Sequence, residues 1–210
     1  MNVLGIAARM ASKAWLSQFF PLAVSRYTRD QWEAQYAGGE WERLRRVDEL
    51  PHYSAIAGYV SHYADCGRIL DIGCGEGILQ EVLGRSRYGR YVGIDLAQEA
   101  ILKASSKQDD GTTFEQADAA SYIPHEDFNI MVFNEVLYHF DDPLDMIARY
   151  APHLAAGGTT IVSMVVDRRS LRIWQILDGR HAPEAEVLVA NHTAGWVVKA
   201  YRGGFTRETP

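Results

Sequence analysis

The sequence predicts a doubly wound α/β fold, in which a mostly parallel sheet carries helices on both faces. From Gly67 onward, short apolar runs alternate with amphipathic segments, which is the order of βαβ units. The first apolar run, residues 68–72, ends in a glycine-rich turn of the kind that joins a strand to a helix. Further on, apolar runs at residues 186–190 and 196–201 enclose five residues with Asn and Gly, which indicates a hairpin. The sheet is therefore expected to end with an antiparallel strand.

Five strands and four helices are predicted ahead of this hairpin. The strands are expected at residues 68–72, 91–95, 113–116, 129–133 and 159–165, and the helices at residues 78–83, 98–105, 144–154 and 170–177. Pro143 suits the first turn of the third helix, with Asp141 or Asp142 as its N-cap. Gly157 and Gly158 are expected to end the connection to the fifth strand.

Residues 1–63 differ in character and are expected to form an N-terminal helical segment packed on the core, with residues 64–210 as one compact unit. Amphipathic helices are predicted at residues 40–50 and 54–63. Four aromatic residues of this segment are candidates for a lid that excludes water from a site: Tyr27, Trp32, Tyr36 and Trp41. Aromatic residues at helical spacing are more often part of a core, and that interpretation stays open for each of them.

Residues 1–29 contain no acid but carry Arg9, Lys13, Arg26 and Arg29 among apolar residues. A targeting peptide or an interfacial helix that contacts a membrane surface would have this composition, and a contact with an anionic acceptor would explain it too. The alternative is a helix packed on the domain. Arg9 interrupts the apolar run and favours that alternative.

The composition restricts the classes of function. With 210 residues, 47% hydrophobic and 23% charged, the chain has the size and make-up of one globular domain. A net charge of -6 argues against a nucleic-acid-binding surface, because phosphate contacts need clustered Lys and Arg. No apolar run reaches the length of a membrane span. Cys66 and Cys74, the two cysteines, are expected to be free thiols, which fits a cytoplasmic location.

The turn after the first strand reads Asp71-Ile-Gly73-Cys74-Gly75-Glu-Gly77. Glycines there let a ligand approach the backbone, and a glycine-rich turn alone is compatible with NAD, FAD or no ligand. The spacing Gly-x-Gly-x-Gly departs from the Gly-x-Gly-x-x-Gly of dinucleotide sites. Asp71 and Glu76 would repel a pyrophosphate but suit a ligand with an ammonium and a sulfonium group. The turn therefore favours S-adenosylmethionine, with Asp71, Gly73, Cys74, Gly75 and Gly77 as binding residues.

Two further acids follow later strands. Asp95 ends the second strand, where a carboxylate is positioned to accept hydrogen bonds from a ribose diol, and Leu96 beside it is placed to cover an adenine face. Asp118 follows the third strand and is a candidate to accept from the adenine amino group while the amide of Ala119 donates to the ring. A helix cap or a solvated loop residue is the alternative role for each acid.

These segments, in this order, resemble a known family. The segments 69–77, 93–95, 117–118, 128–140 and 154–158 are similar to the motifs of class I S-adenosylmethionine-dependent methyltransferases. The likeness covers residues 67–165. It implies a Rossmann-like, mostly parallel seven-stranded sheet with an antiparallel last strand. It also implies that residues 71–77 hold the methionine part of S-adenosylmethionine, Asp95 the ribose, and Asp118 with Ala119 the adenine.

Candidates for catalysis follow the fourth strand. Asn134, assigned to the cofactor, and Glu135 are expected at the carboxyl edge of the sheet, with Tyr138 and His139 in the next turn. Methyl transfer mainly needs alignment, and His139 is the candidate base for an acceptor that must lose a proton. Packing or capping of the helix is the alternative role for His139. Some related enzymes hold a divalent metal through Glu-x-x-Glu-His here; Tyr138 replaces the second Glu, so no metal is expected.

The predicted function is methyl transfer from S-adenosylmethionine to a small-molecule O- or N-acceptor, with Glu135, Tyr138 and His139 as the catalytic candidates. A non-catalytic domain that binds S-adenosylmethionine as a regulator or partner is the alternative. A nicotinamide-dependent oxidoreductase is disfavoured by the glycine spacing. The sequence leaves the acceptor open, as well as the choice between a monomer and a homodimer.

Overall fold

The structure is a computed structural model that describes residues 27–64, 66–192 and 194–205. The strands are β1 Arg68–Ile72, β2 Arg90–Asp95, β3 Thr112–Gln116, β4 Phe128–Asn134, β5 Leu154–Val165, β6 Ala185–Ala190 and β7 Gly195–Arg202. The helices are α1 Arg29–Ala37, α2 Leu50–Tyr63, α3 Ile78–Leu83, α4 Gln98–Ser105, α5 Pro143–Tyr150 and α6 Arg168–Arg180. Short 3₁₀ turns lie at Glu42–Arg45, Arg85–Arg87, Leu137–His139 and Ala151–His153.

The described strands form one sheet in the order β3-β2-β1-β4-β5-β7-β6. β1 to β5 are parallel, and β7 runs antiparallel to both β5 and β6. The predicted doubly wound, seven-stranded sheet with an antiparallel last strand is confirmed. Because the order reverses between β1 and β4, the loops after β1 and β4 diverge there and leave a crevice at the carboxyl edge of the sheet.

Several element boundaries differ from the predictions. The helix expected at residues 40–50 is only a 3₁₀ turn, Glu42–Arg45, and α2 begins at Leu50 with Pro51 in its first turn. The helix expected at residues 144–154 ends at Tyr150, and a 3₁₀ turn follows it. β5 begins at Leu154 and runs through Gly157, whose φ of +73° accompanies a register shift against β4.

The sheet has an apolar core on each face because helices cover both. On one face, Leu70 and Met131 pack with residues of α5 and α6, such as Trp174. On the other face, Ile69 and Ile130 pack with residues of α2, α3 and α4. This accounts for the continuous apolar runs of the central strands, which strands buried on both faces require.

The predicted N-terminal segment is described only from Tyr27 onward; the expectations for residues 1–26 lie outside the described residues. α2 packs on the β5, β6 and β7 part of the sheet and on α3, whereas α1 contacts α4. Within the described ranges, no helix has the length and hydropathy that a membrane span needs. Cys66 is exposed and Cys74 is buried, and both are free thiols.

A buried ammonium links the antiparallel edge of the sheet to α6. Lys199 on β7 is fully buried, with its Nζ 2.6 Å from Oδ2 of Asp178 and 3.1 Å from Oε2 of Glu186. Tyr201 donates to the other oxygen of Asp178 at 2.8 Å, and the Lys199 ammonium lies 5.0 Å from the centre of the Trp174 ring. A buried charge of this kind is tolerated only because it is paired.

Replacing Lys199 with methionine is expected to lower the free energy of unfolding by about 3 kcal/mol, because it removes the buried ammonium that both Asp178 and Glu186 contact. Methionine keeps the apolar contact with Trp174. Urea denaturation measures the effect, with Arg168→Met on the exposed start of α6 as the control. A loss below about 1 kcal/mol would show that the pair contributes no net stability.

Candidate active site

A cavity of about 460 Å³ lies at the carboxyl ends of β1, β2 and β4, at the switch in strand order. Its wall includes twelve of the thirteen residues predicted from the sequence: Asp71, Gly73, Cys74, Gly75, Asp95, Leu96, Asp118, Ala119, Asn134, Glu135, Tyr138 and His139. Gly77, the thirteenth, is the N-cap residue before α3 and is packed against Phe114 instead of lining the wall. The structure thus brings the predicted cofactor and catalytic candidates to one cavity.

The turn between β1 and α3 exposes bare backbone to this cavity. Gly73, Gly75 and Gly77 have φ values of +75°, +54° and +74°, which favour glycine. A Cβ atom added at Gly73 would lie 2.7 Å from Cγ2 of Val136. The amides of Gly73 and Cys74 both donate to the carbonyl of Ile94, which fixes the turn against the end of β2. The turn therefore needs glycine for two reasons: the positive φ angles favour it, and a Cβ atom at Gly73 would collide with Val136.

Asp71 holds an unpaired carboxylate oxygen beside this turn. Its side chain is buried, and Oδ2 accepts from the hydroxyl of Tyr91 at 2.5 Å. Oδ1 is buried and has no hydrogen-bond partner, and neither has Oδ1 of Asn134, which also lines the cavity. Burial raises the pKa of Asp71 to about 7, although the Tyr91 hydrogen bond opposes that rise. Two buried acceptors without donors are what a ligand carrying an ammonium group would satisfy.

Asp95 joins the end of β2 to the glycine turn. Its carboxylate accepts from the amide of Gly75 at 2.9 Å and from the amide of Ala97 at 2.9 Å. Burial raises the pKa of Asp95 to about 6, against the lowering effect of these two amides. The carboxylate is thereby held in one orientation at the cavity wall, and its remaining lone pairs are available to a ligand.

Glu76 does not contribute the free negative charge that the sequence indicated. Its carboxylate is nearly fully buried and pairs with Nζ of Lys103 at 2.9 Å and with the Arg45 guanidinium at 3.5 Å. These two ion pairs could not be predicted, because both cations are distant from Glu76 in the chain. The carboxylates near the turn that have no cation beside them are therefore those of Asp71 and Asp95.

The residues expected to contact an adenine lie at the rim. Asp118 is exposed, and its Oδ1 accepts from the amide of Ala120 at 2.8 Å. The hydroxyl of Tyr150 donates to the carbonyl of Ala119 at 2.9 Å, which anchors this loop on α5. This contact within the loop is compatible with the alternative role of Asp118 as a solvated loop residue. Its second carboxylate oxygen is available to a ligand. The adenine contacts stay a prediction.

Glu135 and Tyr138 are bonded to each other. The Tyr138 hydroxyl donates to Oε2 of Glu135 at 2.9 Å, and the amide of Val165 donates to the same oxygen at 3.0 Å. Glu135 has a φ of +56°, a conformation that is strained for a residue with a side chain. Burial raises its pKa to about 8. These contacts tie the loop after β4 to β5, and the catalytic roles of Glu135 and Tyr138 stay predictions.

The four N-terminal aromatic residues form one cluster over the cavity. The ring centre of Trp32 lies 4.9 Å from that of Tyr27, 6.3 Å from that of Tyr36 and 5.6 Å from that of Trp41. Trp32 also meets the ring of His139 edge-on at 4.9 Å. His139 is thus packed against the predicted lid, and its catalytic role stays a prediction.

Glu33 attaches α1 to the cofactor side of the cavity. Its carboxylate accepts from the amides of Gln98 and Glu99 at 2.7 and 2.9 Å, and so caps the N-terminus of α4 from another helix. The amide of Ala97, which precedes them, donates to Asp95. A cap supplied 65 residues away in the chain leaves no local sequence signal.

Replacing Glu33 with alanine is expected to lower the free energy of unfolding by about 1 kcal/mol, the usual effect of losing a helix cap. Because the cap also holds α1 over the cavity, limited proteolysis should cut α1 faster in this variant. Glu40→Ala, at an exposed site of the same segment, is the control. Equal proteolysis rates in the two variants would contradict the anchoring role.

The cavity also has an end that the sequence did not predict. This end is lined by Glu49, which precedes α2, by His52 and Tyr53 of α2, and by Trp196 of β7. The His52 ring is almost fully buried and stacks on Trp196, with 4.8 Å between ring centres. His52 and Tyr53 lie between the helices predicted at residues 40–50 and 54–63, so no pattern in the sequence indicated this end of the cavity. In the described part of the chain, no group of three or more His, Cys, Asp and Glu side chains is arranged to hold a metal ion.

Comparisons with known proteins agree with this architecture. The chain is 25% identical over 170 residues to a ubiquinone biosynthesis O-methyltransferase of Idiomarina loihiensis, a match that covers 77% of this chain and 63% of that protein. It is 33% identical over 135 residues to a trans-aconitate 2-methyltransferase of Rhizobium etli, covering 63% of this chain and 50% of that protein. The match thus spans about half to two thirds of these relatives' lengths.

Among solved structures, the N-methyltransferase NodS from Bradyrhizobium japonicum, in complex with S-adenosyl-L-homocysteine, superposes with a TM-score of 0.70 at 21% identity. This match covers 83% of the present chain and 97% of that one, and it supports the fold. A family model described as a methyltransferase domain matches residues 40–198, well over half of the sequence. The chain therefore belongs to the methyltransferase-domain family, which confirms the resemblance to class I S-adenosylmethionine-dependent methyltransferases.

Proposed function

We propose that the chain binds S-adenosylmethionine in this cavity and transfers its methyl group to a small-molecule acceptor. The observation that carries the proposal is the buried Oδ1 of Asp71, which has no hydrogen-bond partner and lies beside a turn of bare backbone. An ammonium group satisfies such an oxygen, whereas a pyrophosphate is repelled by it. Asp95 receives the ribose hydroxyls, and Asp118 with Ala119 receives the adenine.

The residues present fit this cofactor. A Cβ atom at Gly75 would lie 3.0 Å from the Tyr36 hydroxyl, so a side chain there would fill the space between the turn and α1. Bound S-adenosylmethionine supplies a methyl group on a positive sulfur, already activated for displacement. The chain's part is then to orient the acceptor and to exclude water, for which the aromatic cluster over the cavity is suited.

The charges of the cavity favour an acceptor without carboxylates. Of the described residues that line it, seven are acids: Glu49, Asp71, Glu76, Asp95, Asp118, Glu135 and Asp167. Arg43 is the one Lys or Arg in that described lining, and its guanidinium pairs with Glu49 at 3.6 Å and stacks on Trp41. Glu76 is paired with Lys103 and Arg45, and burial raises the pKa of Glu135 to about 8, so the repulsion comes mainly from Asp71, Asp95, Asp118 and Asp167. A polycarboxylate would meet these four acids at a cost of several kcal/mol.

The test is calorimetry with S-adenosylhomocysteine, followed by transfer of a labelled methyl group to a panel of phenols, amines and polycarboxylates. We expect turnover of a phenol or an amine, with a kcat/KM at least about a hundredfold above that of trans-aconitate. Binding without turnover of any acceptor would favour the non-catalytic alternative. Preferred turnover of the polycarboxylate would contradict the charge argument.

A further inference from the structure

The end of the cavity formed by α2 holds a histidine that is not among the residues predicted to bind the cofactor. His52 lies in the first turn of α2, and only 1% of its surface is exposed. Both ring nitrogens are buried without a hydrogen-bond partner of normal geometry, and the backbone of Glu49 lies near the ring and opposes the lowering of its pKa. A buried imidazole without partners is costly in a folded protein, and its persistence at a cavity wall calls for an explanation.

The ring is held firmly by its neighbours. It is stacked on Trp196 of β7 with 19° between the planes, and its centre lies 4.2 Å from that of the Tyr53 ring. Nδ1 of His52 lies 3.9 Å from Oε2 of Glu49, the residue that precedes α2. Glu49 in turn lies 3.6 Å from the Arg43 guanidinium, and its side chain keeps 17% of its surface exposed. One side of the imidazole therefore faces a carboxylate that has a path to solvent.

We propose that Glu49 and His52 form a proton relay that deprotonates a hydroxyl group of the methyl acceptor, so that the chain is an O-methyltransferase acting on neutral hydroxyl compounds such as phenols. The proposal rests on the proposed function. In this relay His52 is the catalytic residue, because its Nε2, which is buried in the ligand-free chain, is the atom that receives the acceptor proton once the acceptor is bound. Glu49 acts through His52 and is a positioning residue that finally holds the proton.

All bonds and protons in this relay are accounted for, and no protonated imidazole is formed. The acceptor oxygen forms a bond to the methyl carbon, and the electron pair of the broken carbon–sulfur bond stays on sulfur. The hydroxyl proton passes to Nε2 of His52 while the proton on Nδ1 passes to Oε2 of Glu49. The imidazole changes tautomer but stays neutral, and Glu49 becomes a carboxylic acid that loses its proton to solvent. After product release, Nε2 loses its proton to solvent and Nδ1 regains one, which restores the starting tautomer. The 3.9 Å gap must shorten by about 1 Å, as catalytic hydrogen bonds often do on substrate binding.

The electrostatics of this end of the cavity suit such a relay. Burial lowers the pKa of His52 to about 4, so the ring is neutral at physiological pH. Burial raises the pKa of Glu49, against the lowering effect of Arg43, which makes its carboxylate a better proton acceptor than an exposed one. Glu135 and Tyr53 face the same space, and burial raises the pKa of each. Burial thus favours the neutral forms of His52, Glu135 and Tyr53, which suits a neutral acceptor, and the raised pKa of Glu49 makes its carboxylate the proton acceptor at this end of the cavity.

The experiment compares catechol with 4-nitrocatechol, which ionises near neutral pH and needs no base. We expect His52→Phe, which keeps the stacking on Trp196, to lower kcat for catechol at least about a hundredfold, the usual contribution of a general base. The loss for 4-nitrocatechol should stay below about fivefold. Glu49→Gln should show the same selectivity with a smaller loss. His52→Phe should also weaken catechol binding to the chain saturated with S-adenosylhomocysteine about tenfold by calorimetry, because one hydrogen bond is lost.

The outcomes separate this proposal from the proposed function. Affinity for S-adenosylhomocysteine must stay unchanged in both variants, which also shows that they fold. Equal losses for the two catechols, or a loss below threefold for catechol, would overturn the relay. So would wild-type chain that binds S-adenosylhomocysteine but methylates no phenol of the panel. Failure of the wild-type chain to bind the nucleoside at all would instead overturn the proposed function.

Discussion

Replacing Asp95 with alanine is expected to raise the dissociation constant for S-adenosylhomocysteine about a thousandfold. In the proposed complex, both ribose hydroxyls donate to this carboxylate, and each hydrogen bond to a charged group contributes about 1.5–3 kcal/mol. Their sum of about 4 kcal/mol corresponds to three orders of magnitude in affinity. The substitution also removes the acceptor for the amide of Gly75, so that the glycine turn is held less firmly.

Isothermal titration calorimetry at pH 8 measures this effect, since Asp95, with a pKa of about 6, is ionised there. Asp110→Ala, at an exposed position after α4, is the matched control and should bind as tightly as the wild type. Asp95→Asn should fall between the two, because it keeps one acceptor oxygen and loses the charge. An increase of less than tenfold for Asp95→Ala would mean that the ribose lies elsewhere.

Asp71→Asn is expected to have opposite effects on affinity and stability. At pH 8 it should weaken binding of S-adenosylmethionine about a hundredfold, because the ligand's ammonium loses a buried ionised partner, at a cost of about 3 kcal/mol. The same substitution should raise the free energy of unfolding of the ligand-free chain, because a buried carboxylate oxygen without a donor is no longer charged. The amide can still accept from Tyr91.

The pH dependence of Asp71 has a definite sign. Burial raises its pKa from the ordinary 3.8 to about 7, so the folded chain holds this proton more tightly than the unfolded chain. The ligand-free wild type therefore loses stability as the pH rises from about 4 to about 7, and the loss stays constant above that. Affinity for the cationic ligand changes the other way and falls as the pH drops from 8 to 6.

Asp95 and Glu135 titrate in the same range, so the informative quantity is the difference between Asp71→Asn and the wild type. Urea denaturation and calorimetry from pH 5 to pH 8 give that difference for stability and for affinity. Parallel pH profiles of the two proteins would contradict the assignment of the ammonium to Asp71. A loss of both affinity and stability would point to a purely structural carboxylate.

The sequence predicted those features that depend on local pattern. The run from Asp71 to Gly77 identifies a strand, a turn and a ligand-facing edge, because positive φ angles strongly favour glycine. Asp95 was predictable because parallel strands end at the same edge. The hairpin before β7 was marked by Asn191, whose side chain accepts from the amide of Ala194.

Features that depend on distant partners could not be predicted. Glu76 looks like a free acid in the sequence because Arg45 and Lys103 reach it from other elements. The prediction of a helix at residues 40–50 is wrong. The helix begins only at Leu50, where Pro51 suits the first turn and where α2 can pack on the sheet. His52 belongs to no sequence motif, and its proposed role follows from residues that contact it in space, such as Trp196 and Glu49.

The most direct test of the central claim is a titration of the purified chain with S-adenosylmethionine, S-adenosylhomocysteine and NADH at pH 8. The account predicts saturable binding of both adenosyl compounds, with dissociation constants on the order of micromolar, and a higher unfolding temperature in their presence. NADH should produce neither effect. Binding of NADH, or no binding of either adenosyl compound at millimolar concentration, would contradict the account.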